Sequence, residues 1–341
     1  SPGVARVLSS LIEDLEQGQT LAQAMRHRPE AFSTLLVASV EASQRTGHTP
    51  EALRQHGAYL AWVGGMRDKL VSALIYPAIL IVAALAVVLF MLATGVGGQG
   101  EVFHGMFVRD TAADVMKTGI VLLSGLTLVY GWRYLRDRNL FQGEIPVLIL
   151  FGTAGMMILV SAGSLLMVYL GLELLALCSY ALVASNRDNG LASEAAMKYI
   201  VLGSLASGLL LYGMSLIYGA TGSLHLDAIQ AAIPHSEERV LLVTGAVFMI
   251  AGVAFKLGAA PFHMWLPDVY QGAPAPVALF ISSAPKLAAF GMAYRLLEMG
   301  VGGLDERWRL LLAGLAVASL AIGNLSAMVQ SNLKRLLAYS T

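Results

Sequence analysis

Three hundred and forty-one residues would ordinarily make two soluble domains of roughly 150 residues each, but 57% of this chain is hydrophobic and only 13% is charged, against about 25% charged in an average globular protein. A soluble fold of this size cannot bury that much apolar side chain, so the composition predicts an integral membrane protein. Twenty-two Lys and Arg balance twenty-two Asp and Glu, which excludes a basic field for nucleic acid; the single cysteine, Cys178, excludes a disulfide framework and the roughly four thiolates of an iron–sulfur cluster.

The first 69 residues predict a small helical bundle on the cytoplasmic side. Leu8, Leu11, Ile12 and Leu15 recur at helical spacing. Gly18 ends that stretch, Thr20 with Gln23 forms a capping-box start, and Thr49-Pro50-Glu51 is a further helix start. No signal peptide is expected, because the first residues carry charges throughout and lack an apolar core. Eight apolar stretches near the roughly 20 residues of a membrane helix then follow: Leu70–Ala93, Lys117–Tyr134, Ile145–Ala162, Leu165–Ala184, Tyr199–Gly219, Val240–Ala259, Pro276–Leu297 and Leu310–Val329. The third and fourth meet around Ser164, which predicts a tight antiparallel hairpin. The run TGVGGQG between Thr94 and Gly100 reads as a flexible junction.

Loop charge orients the spans. With the N-terminus in the cytoplasm, that side holds Arg6, Arg26, Arg28, Arg45, Arg54, Arg67, Lys69, Arg133, Arg136, Arg138, Arg187, Lys198, Lys334 and Arg335. The far side holds only Arg109, Lys117, Arg239, Arg295, Arg307 and Arg309. The predicted fold class is therefore an all-α, polytopic integral membrane protein of about eight transmembrane helices, with both ends in the cytoplasm.

Three ionisable residues fall well inside predicted spans: Glu173, Lys256 and Lys286. A charge at the bilayer centre costs about 2.5–3.5 kcal/mol on insertion scales, so such residues face a bundle interior, pair, and mark ion pathways. A structural ion pair that pins helices is the alternative. Just after Lys256, Pro261, Pro267, Pro274 and Pro276 interrupt the helix. A broken helix at membrane depth is tolerated only where protein or water satisfies the freed carbonyls, and transporters build ion sites in this way. Pro285 predicts a kink before Lys286. Burial favours the neutral form of either residue type and pairing favours the charged form, so making and breaking a Glu–Lys pair moves a proton. His263 is a possible further relay step; capping the broken helix fits its position equally. Tyr169, Tyr180, Tyr199, Tyr212 and Trp265 read as packing or interface anchors.

Two sets of motifs carry resemblances. LEQGQTLAQAM, VEASQRTGHTPEALRQHGAYL and RDKLVSALIYPAILIVAAL resemble the F-family platform protein of type II secretion and type IV pilus systems, over about residues 2–93. Gly18, Glu41 with Gly47, and Ala73-Leu74-Ile75-Tyr76-Pro77 stand at that family's characteristic positions. MFVRDTAADVMKTGIVLL, YLGLELLALCSYALVA, GVAFKLGAAPFHMWLPDVYQGAPAPV and GNLSAMVQSNLKRLLAYST resemble an antiporter-like membrane subunit of bacterial NADH–quinone oxidoreductase, complex I, over about residues 103–341. The domains expected are thus a cytoplasmic segment (1–69), one secretion-type membrane helix (70–93), a Gly-rich junction (94–102) and an antiporter-like domain (103–341). A mis-assembled or artificial reading frame is the favoured account of the join.

The second resemblance implies proton translocation through Glu173, Lys256 and Lys286, in the bacterial inner membrane, as a subunit of an enzyme whose redox chemistry lies elsewhere. It implies no cofactor and no metal on this chain; NADH, FMN, iron–sulfur clusters and quinone belong to partner subunits of complex I. It also implies two helices before Phe103 and a further lysine beyond Thr341 that this sequence does not carry. The rival functions are a secretion or pilus platform, with secretion components as partners through the N-terminal segment, and a cation/proton antiporter subunit outside complex I.

Overall fold

A computed structural model describes residues 2–29, 31–46, 100–138, 140 and 143–341, with isolated positions between 50 and 58 and at 90. The chain divides into two compact units, residues 1–79 and 80–341. The predicted span Leu70–Ala93 lies outside the described residues except for Phe90, as do Gly47, Thr49 and most of the Gly-rich junction.

The first unit contains α1 (Pro2–Glu16), α2 (Leu21–Arg26) and α3 (Thr34–Thr46). Leu11, Ala22, Ala24, Met25, Val37 and Val40 form its core. The predicted capping box is present: the Thr20 hydroxyl accepts from the Gln23 N–H at 3.3 Å and the Gln23 side chain accepts from the Thr20 N–H at 3.0 Å. Arg28 then ties α2 back to α1 through Asp14 at 2.6 Å and Ser10 at 2.9 Å.

The second unit opens with a hairpin whose first strand lies in the expected Gly-rich junction. Strands β1 (Gly100–Val102) and β2 (Phe107–Arg109) pair antiparallel, Gly100 opposite Arg109. Asp110 follows and caps α4 (Thr111–Asp137) by accepting from the Ala113 N–H. At about 1.5 Å per residue, the 27 residues of α4 exceed the roughly 30 Å hydrocarbon core. Then come α5 (Glu144–Val160), α6 (Leu165–Val183), α7 (Gly190–Thr221), α8 (Leu226–Ala232), α9 (Arg239–Leu257), α10 (Trp265–Gly272), α11 (Ala275–Ser282) and α12 (Ala284–Ala293). A π-helical segment (Tyr294–Gly300) extends α12, and α13 (Asp305–Met328) and α14 (Leu333–Tyr339) follow.

Six helical stretches among the described residues are long and apolar enough to cross a membrane, and the 17-residue α5 is a shorter seventh. Seven of the eight expected spans are thus present, and the eighth, Leu70–Ala93, lies outside the described residues apart from Phe90. Helix α5 stops early because residues 161–164 turn the chain directly into α6, the predicted tight hairpin. Gly155 and Gly171 let the two backbones touch: a Cβ on either would lie 2.8 Å from the other's carbonyl oxygen. The predicted kink at Pro285 is a full break at Ser283, because proline cannot donate and its ring clashes one turn upstream.

At one end of the bundle, the hairpin, the 161–165 turn and the 224–226 turn are laced main chain to main chain. Val108 N donates to Ser161 O at 2.8 Å, Gly163 N to Met106 O at 2.8 Å, Leu165 N to Leu224 O at 2.9 Å and Leu226 N to Gly163 O at 3.0 Å.

Candidate functional site: charges at a broken helix

The break predicted after Lys256 is present, and protein groups satisfy what it releases. Helix α9 ends at Leu257 with Gly258 in the left-handed region, φ +78°. That conformation suits glycine, and a Cβ there would meet Leu266 Cδ1 at 2.3 Å. Of the last carbonyls of α9, Ala254 O accepts from Ala259 N at 2.8 Å, Phe255 O from the Trp265 indole N–H at 3.0 Å, and Leu257 O from Lys286 Nζ at 2.6 Å. Ala260 N donates to Ser319 Oγ on α13 at 2.9 Å. A helix C-terminus carries partial negative charge, so an ammonium on its last carbonyl is electrostatically well placed.

Each predicted residue can now be located. Glu173 sits midway along α6, its Oε1 buried without a hydrogen-bond partner, within coulombic reach of Lys256, Tyr169 and Tyr180. Lys256 lies in the last turn of α9. It lines a cavity of ≈ 10 Å³ with Ser179 of α6, Tyr199 of α7, Trp265 of α10 and Pro285 of α12, on the order of the space one water needs. No ion pair within 4.0 Å joins Glu173 to Lys256 among the described residues, so the expected direct pair is a separated one here. Lys286, on α12, reaches the break itself. His263 faces a second cavity of ≈ 190 Å³, between the break and α13–α14. Its ring centroid is 6.0 Å from that of Tyr339, and its Nδ1 is buried without a partner.

Three of the five predicted aromatic anchors converge on this place. Tyr199 stacks on Trp265, centroids 4.6 Å apart and planes at 8°, and Tyr180 meets Tyr199 edge-on at 4.8 Å.

Two further buried cations were missed. Lys117 and Arg295 were assigned to the far-side loops, yet they are 4% and 1% exposed. Lys117, in the second turn of α4, lies 4.9 Å over the Phe107 ring. Arg295 donates to Val160 O at 2.9 Å and to Asp110 Oδ1 at 2.9 Å, and its other nitrogen lies 2.8 Å from Asp110 Oδ2. Partial burial pushes the Asp110 carboxyl up, but the hydrogen bonds from Arg295 and the Ala113 N–H, with the coulombic pull of Arg295 and Lys117, outweigh that and hold it below its ordinary value. Both cations stand at the ends of apolar runs, where sequence alone reads a boundary. The Asp110 cap and the hairpin bring partners over them.

The fold and its interrupted helix are those of an all-α, polytopic membrane protein. Residues 162–341 match the family described as "NADH:quinone oxidoreductase/Mrp antiporter, TM", and the chain belongs to that family. Residues 1–97 separately match "Type II secretion system (T2SS), protein F", so the two resemblances fall on non-overlapping parts of the chain. The NADH-quinone oxidoreductase subunit N of Xanthomonas euvesicatoria pv. vesicatoria is 78% identical over 260 residues, which is 76% of this chain and 53% of that protein. The subunit N of Halorhodospira halophila is 54% identical over 263 residues, 77% of this chain and 53% of that protein. Among solved structures, a chain of respiratory complex I from Thermus thermophilus is 35% identical with TM-score 0.64, covering 76% of this chain and 55% of its own. A chain of the Mrp complex from Dietzia sp. is 26% identical with TM-score 0.64, covering 76% and 51%. The chain spans about half the length of the curated relatives it matches.

Proposed function

We propose that residues 103–341 form part of an antiporter-like subunit of a bacterial inner-membrane NADH–quinone oxidoreductase. It moves protons through Glu173, Lys256 and Lys286 and is driven by redox chemistry in partner subunits of complex I, with the N-terminus in the cytoplasm. The observation that carries this reading is the convergence of two lysines from different helices on one break: Lys286 on the Leu257 carbonyl, Lys256 on a water-sized cavity facing the field of Glu173. A proton on Lys256 is favoured while Glu173 is charged nearby and disfavoured when Glu173 is neutral. A proton on Lys286 is held by a helix-end carbonyl. Shifting the Glu173–Lys256 separation therefore moves a proton between Lys256 and its neighbours, with one water able to bridge. His263 lines the larger cavity on the far side of Gly258 and is placed to continue the route there.

The test places residues 103–341 in the corresponding segment of the full-length Xanthomonas subunit and measures proton pumping in membranes. Lys256→Ala abolishes pumping while insertion remains intact; unchanged pumping removes Lys256 from the route. A cation/proton antiporter acting outside complex I predicts instead exchange that proceeds without NADH. The secretion-type match of residues 1–97 leads us to propose no partner for them.

A further inference from the structure

Beyond the charged residues, Trp265 meets more of this site than any packing role requires. It is 2% exposed and opens α10, the short helix beyond the break. Its indole N–H donates to Phe255 O at 3.0 Å, closing a carbonyl one residue before Lys256. Tyr199, itself 3% exposed, stacks on its ring at 4.6 Å, and Phe255 lies 5.4 Å away at 28°. These contacts fix the ring plane. Over that ring, 5.8 Å from its centroid, sits the Lys286 ammonium, whose hydrogen bond to Leu257 O points it at the break.

We propose that Trp265 is a positioning residue for Lys286: its clamped indole ring is the platform that holds the Lys286 ammonium, and not the neutral amine, against the open end of α9. The physical basis is selective. The face of an aromatic ring attracts a cation within about 6 Å through its quadrupole, and has no such attraction for an uncharged amine. The Leu257 carbonyl accepts from either form. The ring therefore makes the resting place of Nζ depend on its charge. When the proton leaves, Nζ keeps one partner where it had two, and the side chain is released from the break. The small cavity holding Lys256 is lined by this same ring, so one side chain borders both lysines. The proposal rests on the reading that Lys286 carries a proton, but its test does not require pumping.

The charged and titratable groups on elements around Lys286 include Lys256 on α9, Glu173, Tyr169 and Tyr180 on α6, Tyr199 on α7, Asp268 on α10, His263 in the turn, Lys117 and Asp114 on α4, and Arg295 on the π-helical segment. The test must separate these. Four tryptophans are present in the chain; replacing Trp62, Trp132 and Trp308 by Phe leaves Trp265 as the sole emitter. The full chain is placed in phospholipid nanodiscs, its helix content is checked by circular dichroism, and its emission is followed from neutral to alkaline pH. A charge near the indole shifts its emission, so a single spectral step is expected. The step disappears in Lys286→Met and survives in Lys256→Met and His263→Gln. Lys286→Arg, which keeps a charge that does not titrate, locks the emission at the neutral-pH position. A step that persists in Lys286→Met, or that still moves in Lys286→Arg, overturns the proposal, as does a parent whose emission does not change with pH. Loss of pumping in Lys286→Met together with a Trp265 whose emission is pH-silent in the parent would leave the proton route standing and remove the platform.

Discussion

Replacing Asp110 by Asn isolates the value of one buried charge pair. The guanidinium of Arg295 is 1% exposed and the Asp110 side chain 33%. Asn keeps an oxygen for the Ala113 N–H and for one Arg295 nitrogen, so the helix cap and part of the contact geometry survive while the countercharge is lost. Removing one partner of a buried pair costs about 3–5 kcal/mol. The one-third exposure of Asp110 and the bond that Arg295 keeps to Val160 O place the expected loss at or just below the low end, about 2–3 kcal/mol by that reasoning. Asp110→Ala also removes the cap, a further loss of about 1 kcal/mol. The assay is equilibrium unfolding in mixed micelles, helix content against the fraction of SDS, for parent and both variants. It has a pH arm as well. Because the native Asp110 carboxyl titrates below its ordinary value of about 3.9, its contribution is complete above that pH and fades as pH falls through the lower native value. The parent's advantage over Asp110→Asn should therefore shrink only in acid. An Asn variant within about 0.5 kcal/mol of the parent at neutral pH, the size of an ordinary surface substitution, would refute the argument that Arg295 depends on this carboxylate.

The remaining expectations use the same unit. Glu173→Gln in the completed subunit should impair pumping as Lys256→Ala does; full coupling retained would favour a purely structural role for the charge. Gly258→Ala should destabilise by at least about 2 kcal/mol, since a left-handed non-glycine residue alone costs about 1–2 kcal/mol and the new methyl would overlap Leu266; micelle unfolding at the parent's SDS fraction would contradict the break geometry. Asp268 receives Lys198 at 2.8 Å and Arg335 at 2.6 Å, tying α10 to α7 and α14. These groups are partly exposed, so Asp268→Asn should cost about 0.5–1 kcal/mol and speed amide hydrogen exchange in Leu333–Tyr339 about 2- to 5-fold. Raised salt should reproduce part of that acceleration in the parent and none in the variant; unchanged exchange would dismiss the clamp.

Much of the bundle was legible because apolar run length is a strong signal in a membrane chain, and the break after Lys256 was legible because glycine and proline announce lost backbone bonds. The Thr20–Gln23 cap was equally local. What failed was what depends on partners distant in sequence. Residues 100–102 read as the end of a Gly-rich junction, yet they pair with residues 107–109 in a hairpin to which residues 161–163 supply donors and acceptors. Arg295 lies at the end of an apolar run, and only folding brings Asp110, 185 residues earlier in the chain, to its guanidinium. Trp265 read as a packing anchor; its contact with Lys286 joins residues 21 apart on separate helices, which no local pattern encodes.

The main-chain lacing of the hairpin with the 161–165 and 224–226 turns has a consequence for how this end of the protein tolerates change. Its hydrogen bonds run between N–H and C=O groups that nearly every residue supplies, so most side-chain replacements at an exposed position such as Val102 leave it intact. Its register, however, counts residues: one inserted between Met106 and Val108 would move Val108 N off Ser161 O and turn each side chain of β2 to the opposite face. Sequence drift is cheap on this surface and length drift is not, so insertions belong in other loops of the second unit.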